Sequence, residues 1–280
     1  MKLDDKRYME LKQAELDILK HFIEACNQMN LRYYVIAGTL IGAVRHKGSI
    51  PWDDDIDVAM PRTDYETFIA KGKSLLPDNL FIQTRHTDPG FLLNMAKVRN
   101  SNTAFLEKTN RNLTINQGIY IDVFPLDNFI NRPLSKLITK TKLKVLKTAI
   151  GREFFRDRRS LKLRINQGIS KILYPSSADA MNAFDHLIQS VRQSEYCHNY
   201  CHNYGFKEAC PWSWFGSGVD MEFEGITVRA PKEFDRYLRG IYGDYMELPA
   251  VSERIPHHNA EVVDVHNSYL TYIGPKGEIL

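Results

Sequence analysis

Four acidic residues stand within five positions in Asp53-Asp54-Asp55-Ile56-Asp57. Such a cluster repels itself in a folded chain unless positive charge compensates it. The alternation of polar and apolar residues over 55–60 predicts a half-buried strand. Side chains two apart on a strand share a face, so Asp55 and Asp57 stand side by side, and Asp53 joins them if the strand starts early. Carboxylates on one face suit a hard cation that prefers oxygen ligands, magnesium above all and manganese after it. A solvated acidic turn is the alternative. Ile56 and Val58 weigh against it, because they tie the acids to an element packed on a core.

A second acid, Asp122, lies inside the apolar run of residues 119–124. A lone carboxylate there is costly unless it is paired or metal-bound, or faces water. Upstream, Gly38-Thr39 ends a short aromatic and β-branched run at 33–37, and Thr39 is placed to cap a helix over 40–45. A glycine before a helix start lets a phosphate approach backbone N–H groups, and the helix N-terminus favours an anion. Arg45, Lys47, Lys97 and Arg99 are basic candidates for phosphate oxygens. Arginine suits this task because its planar fork pairs with two oxygens at once. Trp52 is placed either to stack on a base or sugar or to pack in the core.

The elements that must position these residues are partly legible. Residues 9–29 carry helical apolar spacing, and 63–73 read as a second helix. Strands are predicted over 55–60, 81–83, 94–99 and 119–124. A helix over 179–196, a strand near 221–223 and a helix over 232–242 complete the outline. This mixture indicates an α+β or mixed α/β fold and not a bundle. Three segments follow: a catalytic core at 1–130, a basic helical insertion at 131–196, and a C-terminal part at 197–280 that completes the cleft.

The chain has 280 residues, 43% of them hydrophobic, and a formal net charge of +3. It can therefore build a core, and it lacks the strong overall basicity of a dedicated nucleic-acid binder. The first residues are charged and lack the apolar stretch of a secretory signal, which predicts a cytoplasmic address. Residues 132–171 are different: 13 Lys and Arg stand against 2 acids, interleaved with Leu, Ile and Phe. Such helices either lie on an anionic membrane surface, here the inner face, or pack normally with a solvated basic face. Cys197, Cys201 and Cys210, with histidines between them, offer an alternative structural zinc site. Their spacing departs from the common Cys-x₂-Cys, and reduced, partly buried thiols fit them better.

The stretch Gly38-Thr39-Leu40-Ile41-Gly42-Ala43-Val44-Arg45-His46-Lys47-Gly48, followed by Ile50-Pro51-Trp52-Asp53-Asp54-Asp55-Ile56-Asp57, resembles the LicD family of phosphorylcholine transferases, whose broader group includes fukutin. Further similar segments are Lys97-Val98-Arg99 with Thr103, Ile121-Asp122-Val123-Phe124-Pro125-Leu126-Asp127, Glu222-Phe223-Glu224-Gly225, Tyr242-Gly243-Asp244-Tyr245-Met246, and Arg254-Ile255-Pro256-His257-His258. The basic block and the cysteine stretch lie outside the resemblance. It implies a polymerase-β-like nucleotidyltransferase fold and transfer of a phospho-substituent from a CDP-linked donor, CDP-choline in the namesake case. The acceptor would be a sugar hydroxyl of a cell-surface glycan or its lipid-linked precursor. Carried over by position, Asp55 and Asp57 would be paired metal ligands and Asp122 the third carboxylate, a ligand or proton acceptor. Arg254 and His257 would reach the site from the C-terminal part. Three rival readings are transfer of phosphoribitol or phosphoglycerol, a true nucleotidyltransferase using an NTP, and a silent binding subunit. The last would have no reason to retain four mutually repelling acids.

Overall fold

A computed structural model describes residues 5–110, 113–151, 161–202, 204–256, 258 and 260–274. The helices are α1 (Asp5–Gln28), α2 (Ala37–His46), α3 (Arg62–Lys71), α4 (Pro133–Ile150), α5 (Leu161–Leu173), α6 (Ser177–Gln189), α7 (Trp212–Phe215) and α8 (Phe234–Tyr242). The strands are β1 (Tyr34–Val35), β2 (Asp57–Pro61), β3 (Leu80–Gln83), β4 (Ala96–Asn100), β5 (Ala104–Glu107), β6 (Ile119–Phe129), β7 (Tyr196–His198), β8 (Cys210–Pro211), β9 (Val219–Phe223), β10 (Ile226–Ala230) and β11 (Ala260–Asp264). Helices and strands mix throughout, the α+β or mixed α/β class that the sequence indicates. Among the described residues no helix is long and apolar enough to cross a membrane.

The central sheet has seven strands. Five run in the order β1-β2-β6-β4-β3, and the far end of β6 also pairs with β7, which pairs with β8. β2 and β6 are parallel, while β4 is antiparallel to β6. β9–β10 and β5–β11 form separate antiparallel pairs. β6 can serve as the spine because residues 119–127 are all buried, so most of the strand faces no water.

α1 turns Leu11, Ile18, Leu19, Phe22, Ala25 and Cys26 inward, a stripe at helical spacing. Phe22 meets Tyr33 and Phe68 edge-on at centroid distances of 5.5 and 5.0 Å, which joins α1 to the entry of β1 and to α3. One apolar core runs from Leu11 to Val263 and includes Cys197, Cys210, Phe215 and Tyr237. Residues beyond 197 therefore share a core with the first 130. A second core joins Phe129 of β6 to Leu143, Leu146 and Ile150 of α4 and to Met181, Phe184 and Ile188 of α6.

Several expected boundaries shift, each for a visible reason. The run at 33–37 is a strand only at Tyr34–Val35, and α2 begins at Ala37 with Ile36 as its N-cap. Thr39 does not cap that helix: its hydroxyl accepts the N–H of Asp57 at 2.8 Å, while Ile36 N–H donates to the Asp57 carbonyl at 3.1 Å. The helix expected over 179–196 ends at Gln189, since the chain must return as β7 to pair with the end of β6. Its start is set by a capping box between Ser176 and Asp179.

Gly118 immediately precedes β6, and a Cβ there would run into the backbone carbonyl of Asn100. We expect Gly118→Ala to cost about 1–3 kcal/mol by forcing β4 and β6 apart. Urea unfolding should show a lower midpoint, and an unchanged midpoint would sink this reading of the β4–β6 contact.

Candidate active site

The site is built on neighbouring strands in register. Asp57 on β2 pairs with Asp122 on β6, and Asp122 pairs with Lys97 on β4. Lys97, Asp122 and Asp57 thus form one row across three strands. The Lys97 ammonium lies 2.6 Å from Asp122 Oδ1, and both side chains are buried. The backbone fixes the row from both ends: Asp122 N–H donates to the Ile56 carbonyl at 2.8 Å, and Asp57 N–H is held by Thr39.

Asp55 sits just before β2 and leans into this row. Ligand oxygens of Asp55, Asp57 and Asp122 all lie within 4.8 Å of one another. Burial, then the charges of Asp55 and Asp122, push the Asp57 carboxyl well above the usual carboxylate range. Burial also raises Asp122, against the opposing pull of Lys97. Such groups hold protons unless a cation compensates them. The donor set, three carboxylates with two of them buried, therefore fits a hard divalent cation.

Asp53 does not join that triad among the described residues. Its carboxylate lies directly against Gly38 in the first turn of α2, and a Cβ at Gly38 would collide with it. The space expected to admit a substrate phosphate is thus taken by a carboxylate of the chain itself, which the helix N-terminus also favours. Burial, followed by the charge of Asp55, raises the proton affinity of Asp53. The backbone carbonyl of Asp53 accepts the hydroxyl of Tyr8 from α1.

A second converging group is Asp54, Asp55 and His258. The His258 backbone N–H and ring Nδ1 both lie 3.1 Å from Asp54 carboxylate oxygens, and Nδ1 is 3.9 Å from Asp55. Burial works against a charged ring, but the Asp54 hydrogen bond and the charge of Asp55 outweigh it and raise His258 to about 9. His258 therefore brings positive charge to the acids at neutral pH. His257, its expected counterpart, lies outside the described residues.

The basic candidates divide. Lys97 is at the centre, against Asp122 and 3.3 Å from the Tyr120 ring centroid. Arg99 is not free for phosphate: it is fully buried, donates to Gln83 and to the Gly118 carbonyl at 2.6 Å, and packs on Tyr120. Lys47 points away toward Glu222 of β9, with 3.4 Å between the charged atoms. Arg45 donates to the Tyr245 carbonyl at 2.7 Å, and Arg254 donates to the Pro249 carbonyl at 3.0 Å. Burial and the nearby Arg254 charge lower the proton affinity of Arg45, so these two guanidiniums face each other's repulsion. Arg254 also lies over Trp52, 5.3 Å from a ring centroid. Trp52 is partly buried against the core, the packing role of the two open to it.

Several participants escaped sequence reasoning. α1 places Lys12 and Glu15 behind the acids, 3.4 Å apart, with Glu15 buried and Lys12 partly so. Burial raises Glu15 to about 7, with Lys12 opposing and Asp55 adding to the rise. Tyr120 donates to Glu107 of β5 at 2.9 Å. Burial alone would raise Glu107, yet Lys97, His258 and Arg99 hold it below its ordinary range. Helical spacing on α1 marked its apolar stripe but gave no sign of what its polar flank would meet.

The three cysteines do not form a converging ligand group among the described residues. Cys197 and Cys210 face one another across β7–β8 with sulfurs 3.9 Å apart, whereas the Cys201 thiol donates to the Asn94 carbonyl at 3.0 Å. His198 is buried against Phe129, Tyr200 and Phe206.

Residues 30–157 match the family model described as LicD/FKTN/FKRP, nucleotidyltransferase domain. Lipopolysaccharide cholinephosphotransferase LicD of Haemophilus influenzae is 29% identical over 251 residues, spanning 88% of this chain and 94% of that protein. An uncharacterized protein of Rickettsia typhi is 36% identical over 63 residues, 22% of this chain and 19% of its own. The segment that matches the family model contains Asp55, Asp57, Lys97 and Asp122, while Lys12, Arg254 and His258 come from outside it.

If Lys97 neutralises the buried row, Lys97→Met should cost about 3 kcal/mol by stranding Asp122, and Asp122→Asn in that background should restore part of the loss. Chemical denaturation of both variants checks this. A single-variant loss under about 1 kcal/mol, or a double variant no more stable than the single, would show that the pair does not balance the row.

Proposed function

We propose that the protein is a metal-dependent phosphotransferase that moves phosphocholine from CDP-choline to a sugar hydroxyl of a cell-surface glycan or its lipid-linked precursor. The observation that carries the reading is the convergence of Asp55, Asp57 and Asp122 on adjacent strands. Similarity to the H. influenzae cholinephosphotransferase over most of both chains supports the reaction class. Acids at matching positions of two parallel strands, with an antiparallel strand beside them, fit a polymerase-β-like nucleotidyltransferase core.

Asp55, Asp57 and Asp122 would hold magnesium, or manganese in its place. When bound, the ion supplies charge neutralisation for a diphosphate and its leaving group. The chain's own residues do the rest. Lys97 and the backbone of Ile56 orient Asp122, and Thr39 orients Asp57. His258 converges with Asp54 and Asp55, and Asp55 is shared with the group formed by Asp57 and Asp122. Arg45 and Arg254, both bound to backbone carbonyls, would bring their guanidinium forks to phosphate oxygens beside Trp52. As the acceptor oxygen bonds to phosphorus, the bond from phosphorus to the CMP oxygen breaks and CMP leaves with the electron pair. The acceptor proton passes to a carboxylate of the site that is not holding the metal.

CMP release should be measured from CDP-choline, CDP-ribitol, CDP-glycerol and CDP-ethanolamine with magnesium and with EDTA, in the presence of a glycan acceptor. CDP-choline should be turned over, EDTA should abolish release, and Asp57→Asn should lower it about a hundredfold or more. Preference for CDP-ribitol or CDP-glycerol would replace the transferred group. Pyrophosphate release from an NTP without CMP release from any CDP conjugate would overturn the reaction class.

A further inference from the structure

The basic block at 132–171 is not absorbed by the site. α4 uses Leu143, Leu146 and Ile150 to pack on α6. Its first turns present a different apolar surface. Leu134, Leu137 and Ile138 are 69%, 63% and 47% exposed, at i, i+3 and i+4 on one face. α5 repeats the arrangement near its end, where Ile169, Ile172 and Leu173 are 48%, 83% and 57% exposed at the same spacing. Leucine and isoleucine in such helical groups are unusual on a surface that meets only water.

The charge on α4 and on α5 has one sign. Lys140, Lys142, Lys144 and Lys147 on α4 and Lys171 on α5 are exposed, and no acid occurs in residues 131–151 or 161–178. Outward apolar groups flanked by lysines match the two layers of an anionic bilayer surface. The apolar groups enter the acyl boundary and the ammonium groups meet the lipid phosphates. A second copy docking face to face would bring lysine against lysine with no acid on either helix to offset it.

We propose that α4 and α5 form a docking surface for an anionic phospholipid bilayer, with Leu134, Leu137, Ile138, Ile169, Ile172 and Leu173 as the inserting side chains. This surface does not depend on the reaction proposed above, and its test needs no turnover. The experiment is flotation of the full chain with phosphatidylcholine vesicles and with vesicles that also contain phosphatidylglycerol, at low and high salt. The protein should float with the anionic vesicles at low salt, stay behind with neutral ones, and be released by salt. A Leu134→Ser/Leu137→Ser/Ile138→Ser variant should bind anionic vesicles about tenfold more weakly. Its circular dichroism and melting should match the parent, since these residues are exposed. Failure of the parent to float with anionic vesicles, or unchanged binding by a folded variant, would overturn the proposal. So would a concentration-dependent dimer in sedimentation that the variant abolishes, because the apolar face would then belong to self-association.

Discussion

The register between β2 and β6 places Asp57 beside Asp122, and much of the surrounding structure answers that placement. Neither strand of the pair can slide by one residue without turning its inward side chains outward. The two carboxylates are therefore held together by the apolar packing of Val58, Ile121 and Val123, which are all buried. Lys97 arrives from the opposite side in the same register, so the sheet itself delivers the counter-charge. Tyr120 and Arg99 form the pair two residues along, and the Tyr120 ring lies against both Lys97 and Arg99.

Charge compensation then reaches well beyond the sheet. Lys12 on α1 and His258 after α8 approach the acids from opposite ends of the chain. Neither lies in the segment that matches the family model, yet both supply positive charge where four acids crowd. The shared core from Leu11 to Val263 is the mechanical counterpart of this arrangement. It fixes α1 and the C-terminal strands onto the same sheet, so the compensating groups are positioned by packing and not by long flexible reach.

The acids and their strands were legible in sequence because short-range spacing determines them. Asp55, Asp57 and Asp122 stood out as polar residues inside apolar alternation. What could not be read was the partner of each residue. Arg99 resembles a phosphate ligand in isolation, but its neighbours across β4–β6 and β3–β4 bury it against Gln83 and Gly118. Gly38 was expected to receive a ligand anion, and a distant aspartate fills the space instead. β5 and β11 were missed because their pairing joins chain segments far apart, and neither carries a strong alternation. The helix boundary at Gln189 was overshot because tertiary pairing of β7 with β6 outweighed local propensity.

The crossover between β2 and β6 also bears on the chain as it is made. A parallel neighbour cannot be supplied by a hairpin, so β2 waits for β6 until all of the intervening residues have been synthesised. During that interval its edge toward β6 is open and its Val58-Ala59-Met60 run is apolar, the combination that invites aggregation. The aspartates immediately before it put charge beside a strand that lacks its partner, the placement that opposes edge-to-edge association. The run of acids that strains the finished protein thus protects the unfinished one.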